Sequence, residues 1–570
     1  MDKEISGQTE WQMQTTKWQL IKVFARGQKA LFTITLLLGL TYNLLTILIP
    51  ISIGKFYEFA FGFSSHRLKA FGFIPYMDTK DHVSFLLVFF ILVISRFGFE
   101  YGNRYGISLL GERFVKALRE RLFDCQMQIA FPVYNEKGIG KYLLRFSGDL
   151  KSIQNYLKSG VIRFVQDLVL LSIVFIVIGC IDALMASLIL GVLVLAALLL
   201  WRINKVIHKQ SLERRNRRSG MLSFVNTRLR AMISLKAFNK NTPENKRYRK
   251  RSTGLYQIGK KYAHTVALMQ ASVPAITYSL LGVIMVYVLN SPAYQQNLGG
   301  STLLVVILLI LAILPVLRRV LRVSIVWKLG NISFNKLIQV FELPRENELP
   351  FQELSQENHP IIFENVQFSY KDATESVFRN LNLVIQPMTT SLLFGPSGSG
   401  KSTIIKLLLK TISPEKGQLK IGNMPYTILS EKAIRKHIAV VSNDYPLYGR
   451  DVYEAIVYSR NRKRKMRASK LLEFMQYFEN PKDHLQLHDR IGDLGSTLNS
   501  GQSKLLQYCR ALLTDKPIII IEEPFESLSQ GTVGRVLDKL RDLQNEKTVI
   551  LITHSQKTRL KIDQWFNLAS

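Results

Sequence analysis

From Tyr262 to Leu317 the chain runs for 56 residues without one Asp, Glu, Lys or Arg. About 20 predominantly apolar helical residues cross a bilayer core, so the stretch is long enough for two crossings. Its polar middle, Ser291 to Gly300, marks the turn between them. Leu31 to Ile53 adds 23 uncharged residues. Leu168 to Trp201 carries a single charge, Asp182, near Gly179, and reads as two spans joined by a tight turn. The sixth candidate, Val83 to Gly102, contains Arg96 and Glu100, four apart on one helix face where they can pair. A buried soluble helix accounts for any one of these runs, but not for six in this order.

The formal charge of +33 first suggests a nucleic-acid binder, yet it is unevenly placed. Residues 1–350 hold 45 Lys/Arg against 19 Asp/Glu, and residues 351–570 hold 30 against 23. The excess lies with the apolar runs, as expected for basic loops on the cytoplasmic side of a membrane. Trp201 to Tyr262, read as such a loop, carries 18 Lys/Arg against 2 Asp/Glu, and Arg318 to Lys328 is also basic. Both termini then lie inside, in an integral protein of a plasma membrane of the bacterial inner-membrane type. Its first partner is the lipid bilayer, and no nucleic acid is expected. The basic run Arg460 to Lys470 has no interleaved aromatics and reads as a solvated helix face rather than an RNA surface.

The opening MDKEISGQTE is neither an apolar signal region nor an Arg-rich transit peptide. Trp11, Met13, Trp18, Leu20 and Phe24, interleaved with Lys17, Lys22 and Arg26, fit a short helix in the membrane interface, and equally an ordinary soluble amphipathic helix. Cys125, Cys180 and Cys509 are too few and too scattered for a disulfide framework or a four-ligand zinc site, and read as small buried apolar residues. Arg163 and Asp167 fall near the cytoplasmic end of the third span. There they could line a substrate path or meet water and headgroups.

After Pro344 short β-rich runs alternate with helical ones, the pattern of an α/β domain with a mostly parallel sheet. Thr390 to Phe394 reads as a buried strand running into Gly395, Pro396, Ser397, Gly398, Ser399, Gly400, Lys401, Ser402 and Thr403, followed by an apolar helix. This is a phosphate-binding loop in its strand–loop–helix setting. Glycines let backbone N–H groups close on phosphates, Lys401 brings a point charge, and Ser402 can ligate Mg²⁺. Further on, Pro517 to Ile521 is a buried strand ending in Glu522 and Glu523. Alternation along a strand sends these neighbours to different tasks, Glu522 toward the metal and Glu523 toward an attacking water. Val549 to Thr553 then delivers His554 at a strand end, where open α/β sheets place ligands.

With these residues in order, 350–570 resembles the nucleotide-binding domain of an ABC transporter. The whole chain resembles an exporter-type half-transporter: residues 1–345 an α-helical six-span membrane domain, residues 346–570 an α/β P-loop ATPase domain. The resemblance implies ATP and Mg²⁺ as ligands and a dimer of half-transporters with ATP sandwiched between two nucleotide-binding domains. It implies that Tyr370 stacks on adenine, Glu523 is the catalytic glutamate and His554 the switch histidine. Leu498 with Asn499, Ser500, Gly501 and Gln502 holds the place of the family's LSGGQ signature. Leu122 to Asp149 and Arg230 to Phe238 resemble the two segments that couple membrane domain to ATPase.

Four positions depart from that pattern. Asn443 stands for a glutamine expected to reach Mg²⁺ and the lytic water. Glu522 stands for an aspartate on the metal side. Asn499 and Ser500 replace Ser and Gly of the signature, and Phe525 to Ser529 replaces TSALD. A lost glycine forfeits φ > 0 and close backbone approach, so Ser500 is expected to weaken the site it lends. Since each ATP site of the family combines one subunit's phosphate loop with the other's signature, this distribution favours a heterodimer with a sister half-transporter, with a homodimer still open. The implied activity is ATP-driven export of a substrate the sequence does not identify. The alternative is a nucleotide-gated channel or transport regulator in which ATP binding dominates over hydrolysis.

Overall fold

A computed structural model of the chain describes residues 16–61, 82–133, 142, 145–291, 300–346, 359–371, 375–457, 462–556 and 559–568. They fall into two compact units, Met1–Met127 with Ile139–Glu342, and Gln128–Gly138 with Leu343–Ser570.

The first unit is helical: α1 (Lys17–Gly27), α2 (Lys29–Phe61), α3 (His82–Met127), α4 (Leu150–Ile181), α5 (Ala183–Arg230), α6 (Met232–Ala237), α7 (Asn241–Asn290) and α8 (Gly300–Phe341). Among the described residues six of these, α2, α3, α4, α5, α7 and α8, are long and apolar enough to cross a membrane. Asp182 separates α4 from α5 and accepts hydrogen bonds from the N–H groups of Leu184 (3.0 Å) and Met185 (3.1 Å), so the lone charge in that apolar run is a helix cap. Arg96 lies 3.7 Å from Glu100 on α3.

The basic stretch Trp201 to Tyr262 is not a loop. It continues α5 to Arg230 and begins α7 at Asn241, giving helices of 48 and 50 residues. Apolar length marks only the part of a helix that lies in hydrocarbon; Arg, Lys and Leu keep the helix going beyond it. The first residues of the proposed interfacial segment, Trp11 and Met13, lie outside the described residues. In α1, Leu20, Ile21, Val23 and Phe24 are buried within the unit, with the Phe24 ring 4.9 Å from that of Phe114, so protein covers the apolar face. Asp167 is also held inside the fold. Its carboxylate accepts from Nε (2.9 Å) and Nη2 (2.6 Å) of Arg319 on α8. Of the cysteines, Cys125 and Cys509 are buried but Cys180 is exposed. Of the first coupling segment, residues 134–141 and 143–144 lie outside the described residues; Asp149 at its end accepts from Arg145 (2.7 Å), Arg215 (3.0 Å) and Ser333 (2.8 Å).

The second unit holds two sheets. β1 (Ile361–Phe368), β2 (Phe378–Ile385), β4 (Lys416–Ile421) and β5 (Met424–Pro425) form an antiparallel sheet in the order β2-β1-β4-β5. β3 (Thr390–Phe394), β6 (Ile438–Val441), β7 (Ile518–Glu522), β8 (Thr548–Thr553) and β9 (Gln564–Asn567) form a parallel sheet in the order β6-β7-β8-β3-β9. Helices α9 (Lys401–Leu408), α10 (Glu431–His437), α11 (Val452–Val457), α12 (Arg462–Met475), α13 (Ser500–Leu512) and α14 (Gln530–Asp542) complete it. The near-continuous apolar runs of β7 and β8 are those of strands covered on both faces. Ile519 and Ile521 face a core shared with Leu506 and Tyr508 of α13, while Ile518 and Ile520 face a second core with Ile404 and Leu408 of α9. Register sets Phe394 beside Thr553, and Glu522 beside Ile552. The three motif-bearing strands therefore end side by side, β7-β8-β3, and their loops open along one edge.

Candidate functional site

The phosphate loop leaves β3 at Gly395 and enters α9 at Lys401. Gly398 and Gly400 have φ of +88° and +89°. A Cβ at Gly400 would sit 2.5 Å from the Phe378 ring, so that position needs glycine twice over. Gly400 is also the N-cap of α9 and gives it no side-chain cap, which leaves the first N–H groups of the helix for a ligand. The Lys401 ammonium folds back on the loop and donates to the carbonyls of Gly395 (2.7 Å) and Pro396 (2.8 Å). The Ser399 hydroxyl is buried without a hydrogen-bond partner among the described residues. Uncapped N–H groups, a cation at the loop and an orphan hydroxyl together suit a polyphosphate. Tyr370, just past β1, places its hydroxyl 3.2 Å from Thr403 Oγ1 and its ring edge-on to Phe368.

The two carboxylates diverge, Glu522 at the end of β7 and Glu523 just past it. Glu522 accepts from Ser402 Oγ (2.7 Å) and from Ser442 Oγ. Glu523 accepts from Thr553 Oγ1 (2.9 Å) and from Nδ1 of His554 (2.8 Å). Its φ of +46° puts a non-glycine residue in the left-handed region, a conformation held in part by its own N–H donating to the Ile552 carbonyl (2.8 Å). Ser402 and Glu522 are hard oxygen ligands side by side. Among the described residues no group of three or more His, Cys, Asp or Glu could hold a metal. A divalent ion here would take one or two protein oxygens and the rest from phosphate and water, the usual situation of Mg²⁺.

Two expectations shift. The Asn443 amide lies 3.5 Å from Glu526, and it is the preceding Ser442 whose hydroxyl meets the metal-side carboxylate. At the signature, Ser500 is the first residue of α13 in helical backbone and is not among the positive-φ residues, so the expected strain is absent. Asn499 caps α13 by accepting from the Gln502 N–H (2.7 Å), and Gln502 Oε1 accepts from the Asn499 N–H (3.1 Å). The glycine that close approach requires is Gly501, where a Cβ would lie 2.8 Å from the Ser527 carbonyl.

Three residues of the site gave no local signal. Lys504 is 1% exposed and donates to the Glu522 backbone carbonyl (2.6 Å). Burial pulls its ammonium below the ordinary lysine value, against the upward pull of Glu526, Glu522 and Glu523. Gln507 accepts from the Ser442 N–H (2.9 Å), and the Tyr508 hydroxyl donates to the Pro524 carbonyl. All three depend on α13 lying along the end of β7, which no sequence spacing announces. Cys509 beside them has no reactive setting; burial pushes its thiol up to about 12.

Comparison with known proteins agrees with this geometry. The profile of the ABC transporter transmembrane region matches residues 32–316, and that described as ABC transporter matches residues 378–526. The ATP-dependent lipid A-core flippase of Nitrosococcus oceani is 25% identical over 83% of this chain and 79% of its own length. That of Pasteurella multocida is 25% identical over 86% and 84%. The structure of a bacterial Atm1-family ABC exporter with ATP bound shares the fold with a TM-score of 0.80 at 18% identity, covering 95% of this chain and 93% of that one.

Proposed function

The chain belongs to the ABC transporter family, whose ATPase is coupled to transport, and from that premise we propose that it is a half-transporter that moves an amphiphile with an anionic head out of the inner leaflet. The observation that carries the ATPase part is the convergence of Lys401, Ser402, Glu522, Glu523 and His554 at the ends of three adjacent strands. Lys401 binds phosphate oxygens, Ser402 and Glu522 hold the metal, and Tyr370 packs against the base. Bound Mg²⁺ supplies charge neutralisation at the phosphates. Glu523, with His554 on its other oxygen, orients and deprotonates the attacking water.

Two features support the substrate class. The similar flippases are named for a lipid. In the membrane unit an apolar cavity of about 370 Å³, lined by Leu171, Phe175, Leu193 and Leu317 among others, shares Val273 with a cavity of about 260 Å³ lined by Gln270, Arg318 and Arg322. Two arginines one turn apart suit a phosphate or carboxylate head next to an acyl-sized chamber. The excess of Lys and Arg supports a cytoplasmic side for both termini and the ATPase. ATP is shared between two chains, with a sister half-transporter as the partner. The channel or regulator alternative rests on the altered signature, and the retained Lys401, Glu523 and His554 support turnover over ATP binding alone.

Purified protein in liposomes tests the reading. ATP, and not ADP, should drive a fluorescent lipid with a phosphate head between leaflets, and Arg318→Ala with Arg322→Ala should slow it at unchanged basal ATPase. ATP hydrolysis without any lipid movement would leave an ATPase with a different cargo.

A further inference from the structure

Helix α13 starts at the signature, yet its inner face touches this chain's own catalytic strand rather than solvent. Lys504 and Tyr508 lie one turn apart and both donate to backbone carbonyls that bracket Glu523: Lys504 to that of Glu522 at 2.6 Å, Tyr508 to that of Pro524. Between those two anchors the chain turns through the left-handed φ of Glu523. On the far side the Glu523 N–H is fixed to Ile552 of β8, two residues before His554. A third contact from the same helix, Gln507 to the Ser442 N–H, leads to the hydroxyl that meets the Glu522 carboxylate. The side chain of Lys504 is almost fully buried, an unfavourable place for a charge, and its ammonium is held there by the Glu522 backbone carbonyl.

We propose that Lys504, with Tyr508, is a positioning pair through which the signature helix sets the backbone of Glu523, so that ATP engaged by Asn499–Gln502 across the dimer governs hydrolysis in the chain's own site. The proposal rests on the reading that Glu523 acts on water and that two chains share each nucleotide. A rigid helix that shifts when its N-terminus gains a phosphate moves both carbonyl anchors together, and the strained φ between them makes Glu523 the residue most displaced. Both side chains bond to carbonyls beside Glu523 and not to the phosphate loop, so neither should alter that loop's affinity.

The experiment is steady-state ATPase and nucleotide binding on the full-length protein in nanodiscs, for Lys504→Met, Lys504→Arg, Tyr508→Phe and Glu523→Gln. Lys504→Met is expected to lower kcat at least tenfold with KM and ATP binding within twofold of wild type, and to bring the Hill coefficient for ATP toward one. Lys504→Arg is expected to recover part of the rate. Wild-type kcat and cooperativity in a folded Lys504→Met protein would overturn the proposal. Where Lys504→Met fails to fold, Tyr508→Phe decides, because it removes only a hydroxyl: a severalfold drop in kcat at unchanged KM supports the pair, and an unchanged kcat overturns it. Glu523→Gln separates the two levels. If it turns over normally, the catalytic assignment falls and the proposal falls with it; if it stalls while the Lys504 and Tyr508 variants run normally, only the coupling is wrong.

Discussion

Two of the loops that begin helices in the ATPase unit, the phosphate loop and the signature, are built on opposite principles. α9 starts at Gly400, which has no side chain to offer and leaves the first N–H groups of the helix uncapped. α13 starts at Asn499, whose side chain and that of Gln502 close a reciprocal cap. The phosphate loop thus keeps its donors open and relies on glycine to hold the shape; the signature satisfies its donors within the chain. An anion at α9 meets free N–H groups, whereas one at α13 must compete with a cap contributing about 1 kcal/mol. Ser500 is therefore unstrained and Asn499 is paired, and the cost of the altered residues must be sought in what they withhold from a ligand.

If the contrast holds, the largest effect belongs to the open loop. Lys401→Ala should reduce ATPase activity by about 10²-fold or more, since one preorganised donor at a transferring group carries that much. The protein should still fold in membranes, because the Lys401 ammonium bonds only to loop carbonyls. Near-normal hydrolysis would mean that the loop does not hold the reacting phosphates. Next comes Gly400→Ala. Its φ of +89° and a Cβ 2.5 Å from Phe378 combine backbone strain with overpacking, together about 2–4 kcal/mol. Thermal denaturation should show a clear fall in Tm together with loss of nucleotide binding. A stable Gly400→Ala protein would show that the loop tolerates a shape the contrast forbids.

How much of this was legible in the sequence differs between these regions for a physical reason. The phosphate loop, Glu522, Glu523 and His554 were readable because each lies at the end of an apolar strand, and parallel strands in one sheet bring such ends together whatever lies between them. The tight turn at Asp182 was readable because a lone charge in an apolar run has few uses besides a cap. Helix lengths were not, since hydropathy measures hydrocarbon thickness and α5 and α7 continue through the basic stretch beyond their apolar parts. Ser442, Lys504 and Gln507 were invisible because their meaning lies in which helix packs along β7, a tertiary fact. The exposure of Cys180 was likewise a tertiary fact.

The self-capped loop should respond more gently. Asn499→Ala removes the acceptor for the Gln502 N–H and should destabilise the ATPase unit by about 1 kcal/mol, seen as a small shift in the chemical denaturation midpoint. Its effect on turnover sharpens the contrast: with the cap gone, the α13 donors become as open as those of α9. ATP affinity should therefore hold or rise slightly even as stability falls. A parallel loss of both would show that the Asn499 side chain, and not only the backbone of the loop, contacts the nucleotide.

The smallest effect is expected from Ser500→Gly, the change that restores the family's residue. Ser500 sits in the first turn of α13 with ordinary helical backbone, so glycine relieves no strain there and instead adds unfolded-state freedom, a loss of at most about 1 kcal/mol. Gly501, the position where a side chain would strike the Ser527 carbonyl, is already present. Turnover should thus stay within twofold of wild type, measured on the chain purified alone and again with whatever partner co-purifies. A severalfold rise in the chain alone would show that the Ser500 side chain obstructs a phosphate in both sites of a homodimer. That result would reject the sister half-transporter as partner and restore the closeness of backbone to phosphate as the quantity the signature controls.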